Sequence, residues 1–592
     1  SAMPVEVIGS AYEMFLGSVV KKSGRGIKIE SKNEIQHDAG VYYTPRFIVD
    51  YITENTVNLK LQKCKNIEDV LKIKILDFSC GSGSFLLGAF ERIIEWCTNY
   101  FYSLEKYSSK QIPKKYKDYY KKIGNEIYLT SKIKREILYN NIFGLDLDNK
   151  AIEVAKFSLS LKMLENMDTT DIYSEINLFH SKIIPDLDKN IVSGNTLVNV
   201  DYSMLDDKDT LLNVNPFSWN IFNKILTENN GFDIVIGNPP YIDSEHMTLT
   251  MPKIREYIKN RYSTAKGNWD IYIPFIEKGI CLLNDNGIHS LIVPNKWLSM
   301  PYGEALRSFI KNKLISLTNC KDVRVFQAGN NPIIFIANKK SNKSLKIYNF
   351  EKNYTVNLQN EIDKSSIPED WGAMLSENLN VIDLINKNRY MKIGELFESC
   401  IESPAATAEA YEIKEFLRDY TSSNIPKDSF YFVNTGTIDR YATLWGITET
   451  TYLSKTTPKT IKLKKPSYTF PYIKKDEMMR FKENRYRQSI SPKIILAGKR
   501  FFEAFYDENG EYVAGKTTYI IRKPKNEVNI SMKVLLGILN SSLISFYISE
   551  VYATRGIDGG VDFNPDLIAD LPLPKLTDKQ KNEIEELVNK II

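Results

Sequence analysis

The run Ile234-Val235-Ile236-Gly237-Asn238-Pro239-Pro240-Tyr241 restricts this chain more than any other stretch. A short β-branched run bounded by Gly and Pro reads as a buried strand of a parallel sheet that stops abruptly. The two prolines stiffen the backbone just past its end, because each ring sets φ near about −65° and restricts the residue before it. A stiff loop at the carboxyl end of a central strand lies where open α/β sheets bind ligands. The Asn238 side chain and the Pro239 carbonyl can both accept hydrogen bonds from a planar amino group, and Tyr241 can stack on the ring that carries it.

Upstream, Ile73-Lys74-Ile75-Leu76-Asp77 alternates as a strand does, and Phe78-Ser79-Cys80-Gly81-Ser82-Gly83-Ser84-Phe85 turns it into a helix. A carboxylate ending a strand before a Gly-containing turn and helix opens a Rossmann-like nucleotide site. No basic phosphate cradle follows, and Asp77 suits a ligand bearing an ammonium group, which favours S-adenosylmethionine over a dinucleotide. Ile142 to Asp146 supplies a second acidic strand end for ribose hydroxyls, with Asp148 capping the next helix, whose face is Ile152, Ala155, Leu159 and Met163. Asn195, after Ile191-Val192, stands at the third strand end as an amide partner for an adenine ring. Thr44 before Pro45 reads as the N-cap of a helix whose free amides can meet a carboxylate.

The remaining stretches are less pointed. Pro4 to Leu16 has the stripe of an amphipathic helix, and Lys21 to Asp38 reads as a loop. The insertion from Thr98 to Asn140 interleaves Lys114, Lys115, Lys117, Lys121 and Lys122 with Tyr116, Tyr119 and Tyr120. It is either a solvated helical excursion or a grip on a phosphate backbone. Past the central loop, a helix opens at Asn268 and ends near Leu283, a strand over Gly287 to Val293 encloses a core His289, and Tyr302 to Lys313 is helical. Val323 to Phe326 and Pro332 to Ile336 read as an antiparallel hairpin that ends the sheet near Lys340.

At 592 residues the chain should form two or more domains. No run of about 18 apolar residues and no signal-peptide core is visible, so a cytoplasmic protein with no membrane association is expected. Six scattered cysteines and four unclustered histidines argue against disulfide and zinc frameworks. A net charge of +5 is mild, so any nucleic-acid surface must come from local clustering.

The ordered set Tyr43-Thr44-Pro45, Asp77 to Phe85, Asp146, Asn195 and Asn238-Pro239-Pro240-Tyr241 resembles the gamma class of N6-adenine DNA methyltransferases. More narrowly, it is similar to the methylase and specificity part of type IIG restriction-modification enzymes. The resemblance implies a Rossmann-like S-adenosylmethionine-dependent sheet (α/β) with a C-terminal α+β target-recognition domain. It divides the chain into a helical connector (1–38), a catalytic domain (39–340, with the insertion at about 98–140) and a specificity domain (341–592). It further implies that Thr44, Asp77, Cys80, Gly81 and Gly83 hold the methionine end of the donor, Asp146 its ribose and Asn195 its adenine, with Phe275 in the cofactor or base pocket. Asn238, Pro239 and Tyr241 would act on a flipped adenine, which Phe326 sandwiches opposite Tyr241. No metal is required for methylation.

In the C-terminal half, Asn434 to Ile438, Pro492 to Ile495, Leu535 to Ser541 and Asp570 to Pro574 resemble the target-recognition domain attached to such methylases. Basic residues are dense between Lys459 and Arg500, and Lys464, Lys465, Lys474, Lys475, Arg485, Arg487 and Arg500 are the candidates for a face on double-stranded DNA. The expected protein is a site-specific adenine-N6 methyltransferase, monomeric on DNA. N4-cytosine methylation, usually with Ser in place of Asn238, a glutamine-directed protein methyltransferase and an inactive DNA-binding specificity protein are the alternatives. The chain starts at the connector that follows the nuclease of type IIG enzymes, so it is expected to methylate and not to cut.

Overall fold

The computed structural model describes residues 9, 12, 18–23, 26–31, 44–107, 113–166, 185–201, 214–326, 331–420, 425–451, 467–500, 502–524, 529–552, 554, 556–557 and 560–592. They fall into two compact units, Ser1–Ile367 and Pro368–Ile592.

The first unit is organised by nine strands: β1 (Ile75–Asp77), β2 (Ile142–Asp146), β3 (Ile191–Ser193), β4 (Phe232–Gly237), β5 (Leu283–Pro294), β6 (Leu314–Asn319), β7 (Pro332–Asn338), β8 (Ser344–Phe350) and β9 (Val356–Asp363). Their order across one sheet is β9-β8-β6-β7-β5-β4-β1-β2-β3. The stretch from β5 to β3 is parallel throughout, while β7 runs antiparallel to both β5 and β6. The central strands read Ile-Leu-Asp, Ile-Phe-Gly-Leu-Asp and Phe-Asp-Ile-Val-Ile-Gly, apolar on both faces, as a sheet covered by helices on both sides requires. The covering helices include α1 (Arg46–Thr53), α2 (Ser84–Tyr107), α3 (Asn149–Leu164) and α4 (Tyr272–Leu282). Asp148 caps α3 by accepting from the Lys150 N–H, as its position before the apolar stripe predicts.

Several expectations need correction. Val323 to Phe326 is not a strand; the partner of β7 is β6, a strand that sequence reading leaves unassigned between the helix ending at Lys313 and Val323. The sheet does not end near Lys340 but runs on through β8, parallel to β6, and β9, antiparallel to β8. The expected domain boundary at 340/341 therefore falls inside the sheet, because Ser341 to Lys343 is a short connection between strands. Residues 18–23 and 26–31 form an antiparallel hairpin where a loop is expected. The insertion is not a helical excursion throughout: past the end of α2 it holds a hairpin of Tyr120–Ile123 and Glu126–Leu129, then a helix over Ser131–Asn141. Of the expected helix over Pro4 to Leu16, only Gly9 and Tyr12 lie within the described residues.

The second unit holds two four-stranded sheets. One joins Ile401–Glu402, Thr518–Arg522, Lys493–Ala497 and Ala504–Asp507; the other joins Arg418–Asp419, Pro471–Lys474, Ser429–Val433 and Tyr512–Ala514. Two apolar helices, Met532–Leu539 and Ser542–Val551, are capped by Ser531 and Ser541 and share a core with Ile494, Leu496 and Ile521. Among the described residues no single helix is long and apolar enough to cross a membrane.

Candidate active site

Sheet register assembles the site. β4 lies beside β1 with Ile236 opposite Asp77, and β1 lies beside β2 with Asp77 opposite Gly144. The Asn-Pro-Pro-Tyr loop after β4 is thereby set against the Gly-containing turn after β1, at the carboxyl edge where parallel sheets bind ligands. Gly237 has φ +155°, and a Cβ there would stand 2.6 Å from Asp77 Oδ1 and 3.1 Å from Ser79 Oγ. Only a residue without a side chain lets this loop approach so closely.

The turn itself is pinned from below. Gly81 and Gly83 take φ of +51° and +92°, and the Gly81 N–H donates to Asp146 Oδ2 at 2.8 Å. Asp146 Oδ1 accepts from the Asp148 N–H at 2.9 Å, while burial pushes its carboxyl above the usual range. Cys80 donates its N–H to the Leu145 carbonyl at 3.1 Å. Asp77 is buried, and its Oδ1 accepts from the Ser79 N–H at 3.1 Å. Ser79 Oγ is buried with no hydrogen-bond partner among the described residues. An orphaned hydroxyl, a glycine cradle and carboxylates ending two adjacent strands fit a nucleoside bearing a positively charged tail.

Asn195 is placed near the third strand end, where its amide organises its own turn. Its Oδ1 accepts from the Leu197 and Val198 N–H groups at 3.1 and 3.2 Å, and its Nδ2 donates to the Val214 carbonyl at 3.2 Å. The Phe275 ring lies 5.3 Å from that of Phe78, and both are buried.

Around the loop, Asn238 Nδ2 donates to Thr44 Oγ1 at 3.1 Å, across 194 residues of sequence. Pro239 is buried, and the Tyr241 hydroxyl donates to the Ile292 carbonyl at 3.0 Å. Phe326 does lie beside Tyr241, but edge-on, with ring centroids 5.7 Å apart and planes at 83°. A base between two rings needs about 7 Å, twice a van der Waals contact, so the expected sandwich of a base requires these rings to part.

Sequence reading misses a chain of hydroxyls behind this loop. The Tyr302 hydroxyl donates to Asp270 Oδ2 at 3.0 Å and lies 3.0 Å from the Tyr272 hydroxyl. Tyr272 packs edge-on against Tyr241, with centroids 6.3 Å apart, and the Ile271 N–H donates to the Ile242 carbonyl at 2.9 Å. Burial raises Asp270 to about 6. The stretch Asn268 to Tyr272 is visible as a helix start, yet nothing local marks Tyr302 as its partner.

In the second unit, the basic candidates separate. Lys464 and Lys465 lie outside the described residues, as does the Arg500 side chain. Lys474 is exposed, and Lys475 lies with Nζ 5.2 Å from the centre of the Phe430 ring. Arg485 is turned inward: Nε and Nη2 donate to Glu409 at 2.9 and 2.6 Å, and Nη1 donates to the Ser403 carbonyl at 2.9 Å. Burial pushes Glu409 upward, but Lys482, the Ala406 N–H and Arg485 outweigh it and hold the carboxyl at about 2. Arg487 pairs with Glu483 one helical turn away. Arg485 is thus held by Glu409, whereas Arg487 and its partner stay on the surface, where such a pair is weak. The insertion behaves similarly, with Lys115 and Tyr116 on Glu68 and Tyr120 and Lys122 on Glu105.

Residues 140–326 match the Eco57I restriction-modification methylase family, and residues 435–573 match the TaqI-like C-terminal specificity domain. The chain is 33% identical over 320 residues to the type II restriction enzyme and methyltransferase RM.Eco57I of Escherichia coli, covering 53% of this chain and 29% of that protein. It is 21% identical to the putative type II restriction enzyme and methyltransferase RM.MjaORFECS2P of Methanocaldococcus jannaschii, over 98% of this chain and 57% of that one. The type II methyltransferase M.BanIII of Aneurinibacillus aneurinilyticus is 21% identical over 94% of this chain and 93% of its own length. Among solved structures, the type IIL restriction-modification enzyme MmeI in complex with DNA shares the fold, with a TM-score of 0.56 and 13% identity over 95% of this chain and 72% of that one.

Proposed function

From a chain that belongs to the restriction-modification methyltransferases, joining an Eco57I-type methylase region to a TaqI-like specificity domain, we propose a site-specific DNA methyltransferase acting on adenine N6. The first unit is the catalytic domain and the second the target-recognition domain. S-adenosylmethionine, when bound, supplies an electrophilic methyl group. The reading rests above all on the Asn238 amide, held by Thr44 in a proline-stiffened loop next to Asp77.

The residues act as follows. Asp77 and the turn from Cys80 to Gly83 hold the ammonium and carboxylate end of the donor, and Asp146 meets its ribose. An aromatic amino nitrogen is a poor nucleophile because its lone pair is delocalised into the ring. Asn238 Oδ1 and the Pro239 carbonyl would accept hydrogen bonds from its two N–H groups and favour a more tetrahedral nitrogen; as its lone pair bonds to the methyl carbon the sulfur–methyl bond would break to leave a neutral thioether, and the methylated nitrogen would lose its extra proton to solvent. Tyr241 stacks on the base, which must leave the duplex at a cost of about a few kcal/mol. The edge-on Phe326 swings aside or re-stacks as the base enters. No covalent intermediate is needed, and positioning carries most of the rate.

Asn238 favours adenine over cytosine N4, for which Ser is the usual residue at this place. Single-molecule sequencing of DNA from cells expressing the protein tests the proposal. N6-methyladenine in one sequence context is expected; N4-methylcytosine would move the target base, and unmodified DNA would overturn the proposal.

A further inference from the structure

We propose that Thr44 is a positioning residue for Asn238, its hydroxyl engaging the Nδ2 end of the amide so that Oδ1 faces the reacting amino group. The inference rests on the methyltransferase reading above. Pro239 and Pro240 stiffen the backbone of the loop, but the terminal torsion of an Asn side chain is broad and roughly two-fold. A stiff loop therefore leaves two amide orientations open. Only one of them presents the Oδ1 acceptor to a base amino group; the other sets N–H against N–H.

A hydroxyl can meet either end of an amide, and here it takes the donor end. Asn238 Nδ2 donates to Thr44 Oγ1 at 3.1 Å, and Thr44 is itself 5% exposed. The side chain is not a helix cap, contrary to the reading of Thr44-Pro45 as a cap and first turn. The cap of α1 is Pro45, whose carbonyl accepts from Ile48 and Val49 N–H at 3.0 and 3.3 Å, with no side-chain cap bond. Pro45 in turn holds Thr44 in the extended region, so the hydroxyl is delivered to Asn238 by the same dipeptide that starts the helix. Asn238 is thus fixed through its backbone by the prolines after it and through its amide by a residue of another element.

The test compares Thr44→Val, which keeps the branched shape, with Thr44→Ser, which keeps the hydroxyl. In methyl transfer to duplex DNA carrying the recognition sequence, at saturating donor and DNA, Thr44→Val is expected to lower kcat by about 10- to 100-fold. The Kd for S-adenosylmethionine, read by titration calorimetry, should stay within about threefold, because the proposal sets the hydroxyl on Asn238 in place of the donor contact that the resemblance implies for Thr44, and Thr44→Ser should recover kcat to within about threefold. Should Thr44→Val melt below the assay temperature, Thr44→Ala removes the hydroxyl without adding a methyl group and carries the same comparison. A raised donor Kd with unchanged kcat, or an unaffected variant beside an active wild type, would overturn the role of Thr44 alone. A wild type that transfers no methyl group would remove the underlying function as well.

Discussion

On the proposed function, Asn238 and Tyr241 divide the work of the loop between an amide that meets the reacting nitrogen and a ring that meets the base. Asn238→Ala removes an acceptor aimed at developing charge, and kcat should fall by about 10²- to 10³-fold with folding intact. Tyr241→Phe keeps the ring and loses only the bond to the Ile292 carbonyl, so it should retain most activity where Tyr241→Ala does not. Two buried groups nearby act oppositely on stability. His289 is fully buried with Nδ1 donating to the Val235 carbonyl at 2.9 Å, and burial lowers it from 6.5 to about 4. Between those pH values the unfolded chain binds more protons, so stability rises with pH there, by on the order of 3 kcal/mol. Asp270, raised from 3.8 to about 6, binds its proton more tightly when folded, and its contribution falls as pH rises through that window. Asp270→Asn keeps an acceptor for Tyr302 and deletes the opposing contribution. Its urea midpoint should therefore climb more steeply from about pH 4 to 6 than that of the wild type; parallel curves would contradict the assignment. In the second unit, Lys493 and Asp507 form an ion pair with side chains 1% and 2% exposed. Lys493→Met leaves Asp507 buried and uncompensated and should destabilise by about 3–5 kcal/mol, while an apolar replacement of both should recover much of it.

Strand ends and helix starts set how much room a substitution has around the site. Gly237→Ala would place a methyl 2.6 Å from Asp77 Oδ1 at a φ of +155°. Loss of methyl transfer with near-native circular dichroism is expected, at a strain cost of about 1–3 kcal/mol. The sheet also sets where the first unit can be cut. A fragment ending at residue 340 loses β8 and β9 and bares the edge of β6, an unpaired strand open to association. It should aggregate on size exclusion, whereas a fragment ending at residue 367, the limit of the compact unit, should elute as a single species. Arg485→Ala belongs to the same class of effect: it strips Glu409 of its inward partner and should lower the melting temperature of the specificity unit more than it weakens DNA binding.

On the proposed function the two units divide chemistry from recognition, and the recognition unit must meet a polyanion with a chain of only +5 net charge. Besides the surface-paired Arg487, the described candidates that remain are two lysines, exposed Lys474 and its neighbour Lys475. Replacing both by Ala should lower affinity across sequences and reduce the slope of log K against log salt by about 0.9 for each phosphate no longer neutralised. An unchanged slope would move the DNA face elsewhere.

The family resemblance and the strand ends around the Asn-Pro-Pro-Tyr loop were legible in the chain because their signals are local. An apolar run followed by Asp and a Gly-containing turn, or by Asn-Pro-Pro-Tyr, carries its geometry within about ten residues, since strand period and proline stiffness do not depend on distant partners. Pairings were not legible. Composition could not say that Arg485 meets Glu409 76 residues upstream, nor that Tyr302 closes on Asp270. It could not say that the polar Ser341 to Lys343 joins two strands instead of two domains. The local rule for Thr-Pro also makes Thr44 a helix cap, while the Asn238 amide that takes its hydroxyl arrives from 194 residues away. Torsional preferences and periodicity are properties of a segment; which charge, hydroxyl or strand edge satisfies which partner is settled only when the folded chain removes water from both.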